Sequence, residues 1–232
     1  MNKAFRLALL SIAVAIVISI GSVSDAKAQG VLRNILNRMD AHNKSLVSLK
    51  ADVTMEKLNA QLGETDTTSG TTSYLPKTAK RVMFARIDWT KPVEEHIVII
   101  GDTYKLYRPR LGQVINGKVD KVQKDGKVPG NALAFMSMSK EQLKANYTVN
   151  YIGEESVGAS NTWHIELVPL KKTSYKTAEL WVDSNGMPIQ AKVIEQNNDA
   201  TTVRLSGLQK NVTISANDFN LNLPKGVKQI QA

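Results

Sequence analysis

The chain has no cysteine. That excludes a disulfide framework, a thiol nucleophile, a thiolate metal site and lipid attachment at an N-terminal cysteine, so an apolar core has to hold the fold by itself. Histidine is scarce as well. His42, His96 and His164 stand far apart in sequence, with no ligand spacing between any pair. No phosphate-cradling glycine loop, G-x-S-x-G elbow or H-E-x-x-H motif occurs. Glu94-Glu95 and Glu154-Glu155 are adjacent carboxylates, which on a strand point to opposite faces and make a poor acid–base pair. Distant residues can still meet in space, so an enzyme is unsupported rather than excluded. The expectation is a protein that is not an enzyme, with no catalytic residue, metal or cofactor.

Long apolar runs are also missing beyond the N-terminus. There, Lys3 and Arg6 precede an almost wholly apolar Leu7 to Ile20, and Ala26-Lys27-Ala28 makes a small-x-small cleavage signal. Residues 1–28 are expected to be a secretory signal peptide, cut before Gln29. Its apolar run is short against the roughly 20 residues that span a bilayer. Residues 29–232 then form one soluble, exported domain. Without Lys3, Arg6, Lys27 and Asp25, the charge of +9 becomes +7, from 27 basic and 20 acidic residues. No RNP, helix-turn-helix or stacked-aromatic pattern accompanies the positive charge, so nucleic acid is not the expected partner. A solvated basic surface suits anionic lipid headgroups or acidic partners.

What the chain does have is alternation. Val31, Leu32, Ile35, Leu36, Met39, Leu46 and Val47 recur at helical spacing and predict an amphipathic helix over residues 30–48. From Leu49 the period becomes two. Strands are predicted at 49–55, 65–73, 80–90, 94–100 and 103–107, then at 147–152, 162–168, 178–182, 189–196 and 201–208. Asn116-Gly117 reads as a two-residue hairpin turn joining Gln113–Ile115 to Lys118–Val122. Hairpin-linked strands without βαβ spacing argue for a mainly β (α+β) protein, one antiparallel sheet of about ten or eleven strands curled toward a barrel.

One stretch interrupts this sheet. Pro129 to Tyr147 places Leu133, Phe135, Met136 and Met138 in an apolar cluster, and Ser139 stands three residues before Gln142, the spacing of a capping box. Two readings fit: a core helix that plugs a barrel end, or a movable lid over a cavity that the sheet does not fill.

Two further stretches, K-R-V-M-F-A-R-I-D-W-T-K-P from Lys80 to Pro92 and A-E-L-W-V-D-S-N-G-M-P-I-Q-A-K-V-I-E-Q from Ala178 to Gln196, resemble the periplasmic outer-membrane lipoprotein carrier family (LolA). The segments Val98–Tyr107, Asn131–Met138 and Asp218–Val227 are similar to it in the same order. Val82 stands where the family has a proline. The resemblance implies an incomplete antiparallel β-barrel with an N-terminal helix and a helical lid, a monomer that holds lipoprotein acyl chains in an apolar cavity. It implies as partners an inner-membrane lipoprotein-release complex and an outer-membrane acceptor. The absent cysteine argues against the lipid-anchored acceptor of the same fold. A same-fold protein that binds another lipid or senses envelope stress, and an exported esterase, are the alternatives.

Alternation along the third predicted strand puts Arg81, Met83, Ala85, Ile87 and Trp89 on one face. A guanidinium at the head of an apolar face needs acceptors. The resemblance assigns Arg81 the lid's helix-end carbonyls, as a latch of the closed state; the alternative is a wet strand end with a carboxylate cap. Met83, Ala85, Ile87, Trp89, Leu133, Phe135, Met136 and Met138 are the expected cavity and lid residues.

Overall fold

The computed structural model describes residues 22–119 and 135–232. It opens with α1 (Ser22–Ser45), a helix whose first seven residues, about two turns, fall inside the expected leader. Ile35, Leu36 and Met39, three and four residues apart, are almost wholly buried against the sheet. The predicted helix runs three residues too far. Val47 lies beyond its end and is exposed, its amide donating to Asn211 Oδ1 at 2.8 Å.

The first half of the sheet is β1 (Leu49–Asn59), β2 (Glu64–Leu75), β3 (Phe84–Lys91), β4 (Glu95–Ile100), β5 (Thr103–Arg108) and β6 (Gln113–Lys118). A short helix, α2 (Lys140–Asn146), precedes β7 (Tyr147–Val157), β8 (Ser160–Pro169), β9 (Tyr175–Asp183), β10 (Pro188–Glu195), β11 (Ala200–Lys210) and β12 (Lys228–Gln231). Among the described residues these twelve strands form one sheet in the order β12-β6-β5-β4-β3-β2-β1-β11-β10-β9-β8-β7. Neighbours are antiparallel except β12 and β6, which pair in parallel. β12 and β7 are free edges, so the sheet is an unclosed barrel, as expected. In β1, Leu49, Ala51, Val53 and Met55 are buried on the inner face while their neighbours are not, the alternation read from the sequence.

Two expectations need correction. Asn116-Gly117 is not a turn: both lie within β6, opposite Lys105 and Tyr104 of β5. A Cβ on Gly117 would come within 2.6 Å of Tyr104 Cε1, so the glycine is there to let the ring lie across it. Asn116 Nδ2 donates to Gln229 Oε1 at 3.0 Å, tying down β12. The second arm proposed for that hairpin extends from residue 120 outside the described residues. The third strand begins at Phe84, not Lys80. Thr78 and Arg81 instead close a tight turn, the Thr78 amide donating to the Arg81 carbonyl at 2.8 Å.

The outer face carries its own small core. Phe219, on a 3-10 turn (Ala216–Phe219), packs its ring 5.3 Å from that of Phe84 and buries with Leu75 and Val98. Arg86 Nη1 donates to the carbonyls of Asp218 and Asn220 at 2.8 and 3.2 Å. The chain after β11 is thereby strapped across the back of β3 and β4, leaving the inner face to α1 and α2.

Candidate functional site: an apolar cavity at one end of the sheet

Among the described residues, the inner face is not filled at the end where β2 stops and β3 starts. A cavity of about 450 Å³ remains there, within the roughly 300–1,000 Å³ of pockets that engulf small ligands. Met83, Ala85 and Ile87 form one wall and Met136 another, four of the expected residues brought together. Trp89, one step deeper on β3, is buried in the core rather than on the cavity wall. Leu133 lies outside the described residues.

The other wall was not foreseen. Leu46 from the end of α1, Leu49 from β1, Pro188 from β10 and Leu205 from β11 complete it. Alternation marks Leu49 and Leu205 as inward-facing, but only the pairing of β1 with β11 brings them beside β3.

Polar groups on this surface are satisfied or neutral. Thr72 Oγ1 donates to the Arg86 carbonyl at 3.0 Å. Asn43 Nδ2 donates to the Met138 carbonyl at 3.1 Å. Burial raises the Tyr74 pKa, keeping the phenol protonated. His42 is 8% exposed. Burial, and then the charge of Lys210, lower its pKa against the opposing pull of Asp183. Its imidazole is therefore neutral at neutral pH. A mainly apolar surface, with the exposed Lys77 as its one formally charged lining residue among the described residues, selects an apolar ligand.

The segment that starts at Phe135 borders the cavity and is anchored on one side. Phe135 is 3% exposed, with its ring edge-on to Tyr147 at 5.8 Å and to Tyr175 at 5.7 Å. The two phenol oxygens lie 2.7 Å apart. Met136, next in sequence, faces the void, and Met138 is half-buried against the core. Ser139 and Gln142 make both bonds of the expected capping box, at 3.2 Å and 2.8 Å, and start α2. Lys140 Nζ reaches Asn37 Oδ1 on α1 at 2.7 Å.

Arg81 stands outside the β3 ladder, in the turn before it. Its Nη2 donates to the Pro76 carbonyl at 3.2 Å, and its Nε is buried without a partner among the described residues. Asp and Glu caps are absent from its contacts among those residues.

The two outer-face histidines lie beside carboxylates. His96 Nδ1 lies 2.6 Å from Asp88 Oδ1 and its Nε2 3.0 Å from Glu94 Oε1. His164 sits between Glu155 and Glu179 at 3.4 and 3.3 Å, stacked 4.2 Å from Trp181. His96 bridges two carboxylates, whereas the buried His164 Nε2 has no hydrogen-bond partner among the described residues. Among the described residues no cluster of side chains has metal-ligand geometry, and no helix is long and apolar enough to cross a membrane.

Residues 44–222 match the family described as outer membrane lipoprotein carrier protein LolA. An uncharacterized conserved protein from Thermus thermophilus superposes with a TM-score of 0.56 at 11% identity, over 87% of this chain and 99% of that one. A structure of MucB gives 0.56 at 13% identity, over 89% of this chain and 66% of that one. The Pseudomonas aeruginosa MucA/MucB complex gives 0.51 at 13%, over 82% and 60%. At these identities the structural likenesses show a shared fold alone. No curated protein matches the sequence.

Proposed function

The chain belongs to the outer membrane lipoprotein carrier protein LolA family, and from that premise we propose that it is a periplasmic carrier. It takes lipoprotein acyl chains into the cavity at an inner-membrane release complex and gives them up to an outer-membrane acceptor. The observation that supports this reading most is the cavity itself: an open-ended void among apolar side chains, at the unfilled end of an unclosed sheet.

Energetics require such a carrier to bind less tightly than it could. Burying an acyl chain yields about 0.8 kcal/mol per methylene, so about 14 methylenes give roughly 11 kcal/mol. A protein that realised all of it over several chains would not release its cargo. Met136 stands where an entering chain has to lie. Displacing an unbranched, polarizable thioether offsets part of the gain. In this proposal Phe135 is the fixed end of the lid and Met136 its competing surface, with Met138 beside them. Arg81 biases the lid toward closure by meeting its carbonyls, a partner that its buried Nε lacks among the described residues.

Native mass spectrometry and lipid extraction of the purified protein test the reading. Co-purifying acylated protein is the expected result. Free phospholipid alone would point to a same-fold lipid binder. An empty protein that turns over ester substrates would overturn the carrier reading in favour of an enzyme.

A further inference from the structure

The loops around the cavity mouth have a chemistry of their own. Antiparallel pairing brings the β2–β3 loop, the β4–β5 turn, the end of β6 and the end of β11 to one end of the sheet, the end at which the cavity lies. Lys77 is exposed and reaches the cavity wall; Lys80 is exposed on the turn closed by Thr78 and Arg81. Lys118 ends β6 and Lys210 ends β11, both exposed, and Lys210 is near enough to the cavity residue His42 to act on its charge.

Exposed apolar side chains stand among these cations. Val82 is 48% exposed and Ile100 39%. They flank Gly101, whose amide donates to the Met83 carbonyl at 2.9 Å and whose missing Cβ would lie 3.7 Å from that of Val82. Val47, 62% exposed, is held beside the Lys210 end of β11 by its bond to Asn211. Asp102 is the acidic residue of the β4–β5 turn. At the same end the β9–β10 turn carries Asp183, whose Oδ1 accepts from the Asn185 and Met187 amides at 2.9 and 2.8 Å, and the β7–β8 hairpin carries Glu154 and Glu155, so the lysines are concentrated on the loops of β2 to β6 and the end of β11.

Lysines around projecting valine and isoleucine tips match a membrane interface. Cationic heads meet anionic headgroups while the apolar tips enter the boundary beneath them. We propose that this rim docks the protein, cavity mouth first, on an anionic lipid bilayer, so that an acyl chain passes between membrane and cavity without crossing open water. The purpose of this docking rests on the carrier reading; the docking itself does not.

Flotation of the purified protein with vesicles of phosphatidylcholine, with and without phosphatidylglycerol, tests it. Binding is expected only to the anionic vesicles, and it should be lost as added salt shortens the Debye length to about 3 Å. Replacing Lys80→Ala and Lys118→Ala together should weaken binding roughly 30-fold, from the energy of two surface cations near an anionic leaflet. Val82→Asp should weaken it too. Equal binding to both vesicles, or no effect of the double substitution in a folded variant, would overturn the proposal. Failure of the wild-type protein to float with anionic vesicles would also overturn it and leave an acidic protein surface as the rim's partner. A dansyl-labelled fatty acid, titrated without vesicles, reads the cavity separately. Probe binding without flotation defeats the docking alone, and flotation without probe binding defeats the carrier reading alone.

Discussion

Truncating the two neighbours Phe135 and Met136 to alanine should separate the anchor of the proposed lid from its working surface. Phe135 is 3% exposed, and its ring meets Tyr147 and Tyr175 edge-on at 5.8 and 5.7 Å. Each such aromatic contact contributes about 0.5–1.5 kcal/mol beyond the area buried. The 2.7 Å bond between the two phenol oxygens fixes both rings, so they cannot close over the space left behind. Phe135→Ala should therefore cost about 4 kcal/mol, in the middle of the range for a phenylalanine truncated in a core. At about 2–4 °C per kcal/mol for a domain of this size, Tm should fall by roughly 8–16 °C.

Met136 already borders the open cavity, so its removal enlarges a void instead of sealing a new one. Met136→Ala should cost about 2 kcal/mol, at the low end for methionine. It should also tighten binding of a dansyl-labelled fatty acid about tenfold, because a competing apolar side chain worth roughly 1.5 kcal/mol is gone. Thermal unfolding and probe titration on the same two variants measure both effects. If Phe135→Ala cost less than about 1 kcal/mol, the side chain would not be an anchor. If Met136→Ala left probe affinity unchanged, the competition argument would fail.

Three other perturbations follow from particular contacts. Arg81→Leu removes one bond to the Pro76 carbonyl, so its stability cost should stay near 1 kcal/mol. Loss of the proposed latch should nevertheless slow cargo hand-over in a transfer assay, and unchanged kinetics in the folded variant would defeat the latch. Gly117→Ala should cost about 1–3 kcal/mol, because its Cβ would press on the buried Tyr104 ring at 2.6 Å. Gly153→Ala, with nothing within 4 Å of the new Cβ, is the matched control that should unfold at or above the wild-type Tm. Acidification should destabilise the protein through His42, whose folded pKa lies below the unfolded value of about 6.5. The unfolded state takes up this proton first, so the His42 contribution is whole above that pH and is lost as pH falls through the folded pKa. His42→Gln should flatten the Tm–pH slope in that window, and an unchanged slope would assign it to other groups.

How far the sequence carried depends on the range of the interaction being read. Alternation over two residues placed Leu49, Val53, Met55, Ala85 and Ile87 on the inner face, since one side buried and one side wet is a local property of each strand. The capping box at Ser139 was legible for the same reason: both bonds lie within four residues. Asn116-Gly117 misled because a glycine satisfies two unrelated demands, a left-handed turn and close approach of a ring. The ring in question belongs to Tyr104, on another strand. Lys80 to Met83 misled differently. Their alternation continues that of β3, but the Thr78–Arg81 turn uses the same backbone groups that a ladder would need.

The cavity was the least legible feature, although most of its residues were marked as inward-facing. Whether inward-facing side chains meet or leave a gap depends on which strands stand opposite, and on where the sheet fails to close. β1 pairs with β11 across some 150 residues of chain, and β12 pairs with β6 after the chain has crossed the outer face. Those long-range pairings bring Leu205, Met83 and Met136 to the wall of one cavity. A void made this way is a property of the sheet's open end, not of any motif, so its contents can change without changing the strands. The same reasoning explains why a carrier suits the architecture. Strands fixed by their ladders keep the wall in place, and in the proposed carrier a lid anchored at Phe135 leaves Met136 as the part that has to yield.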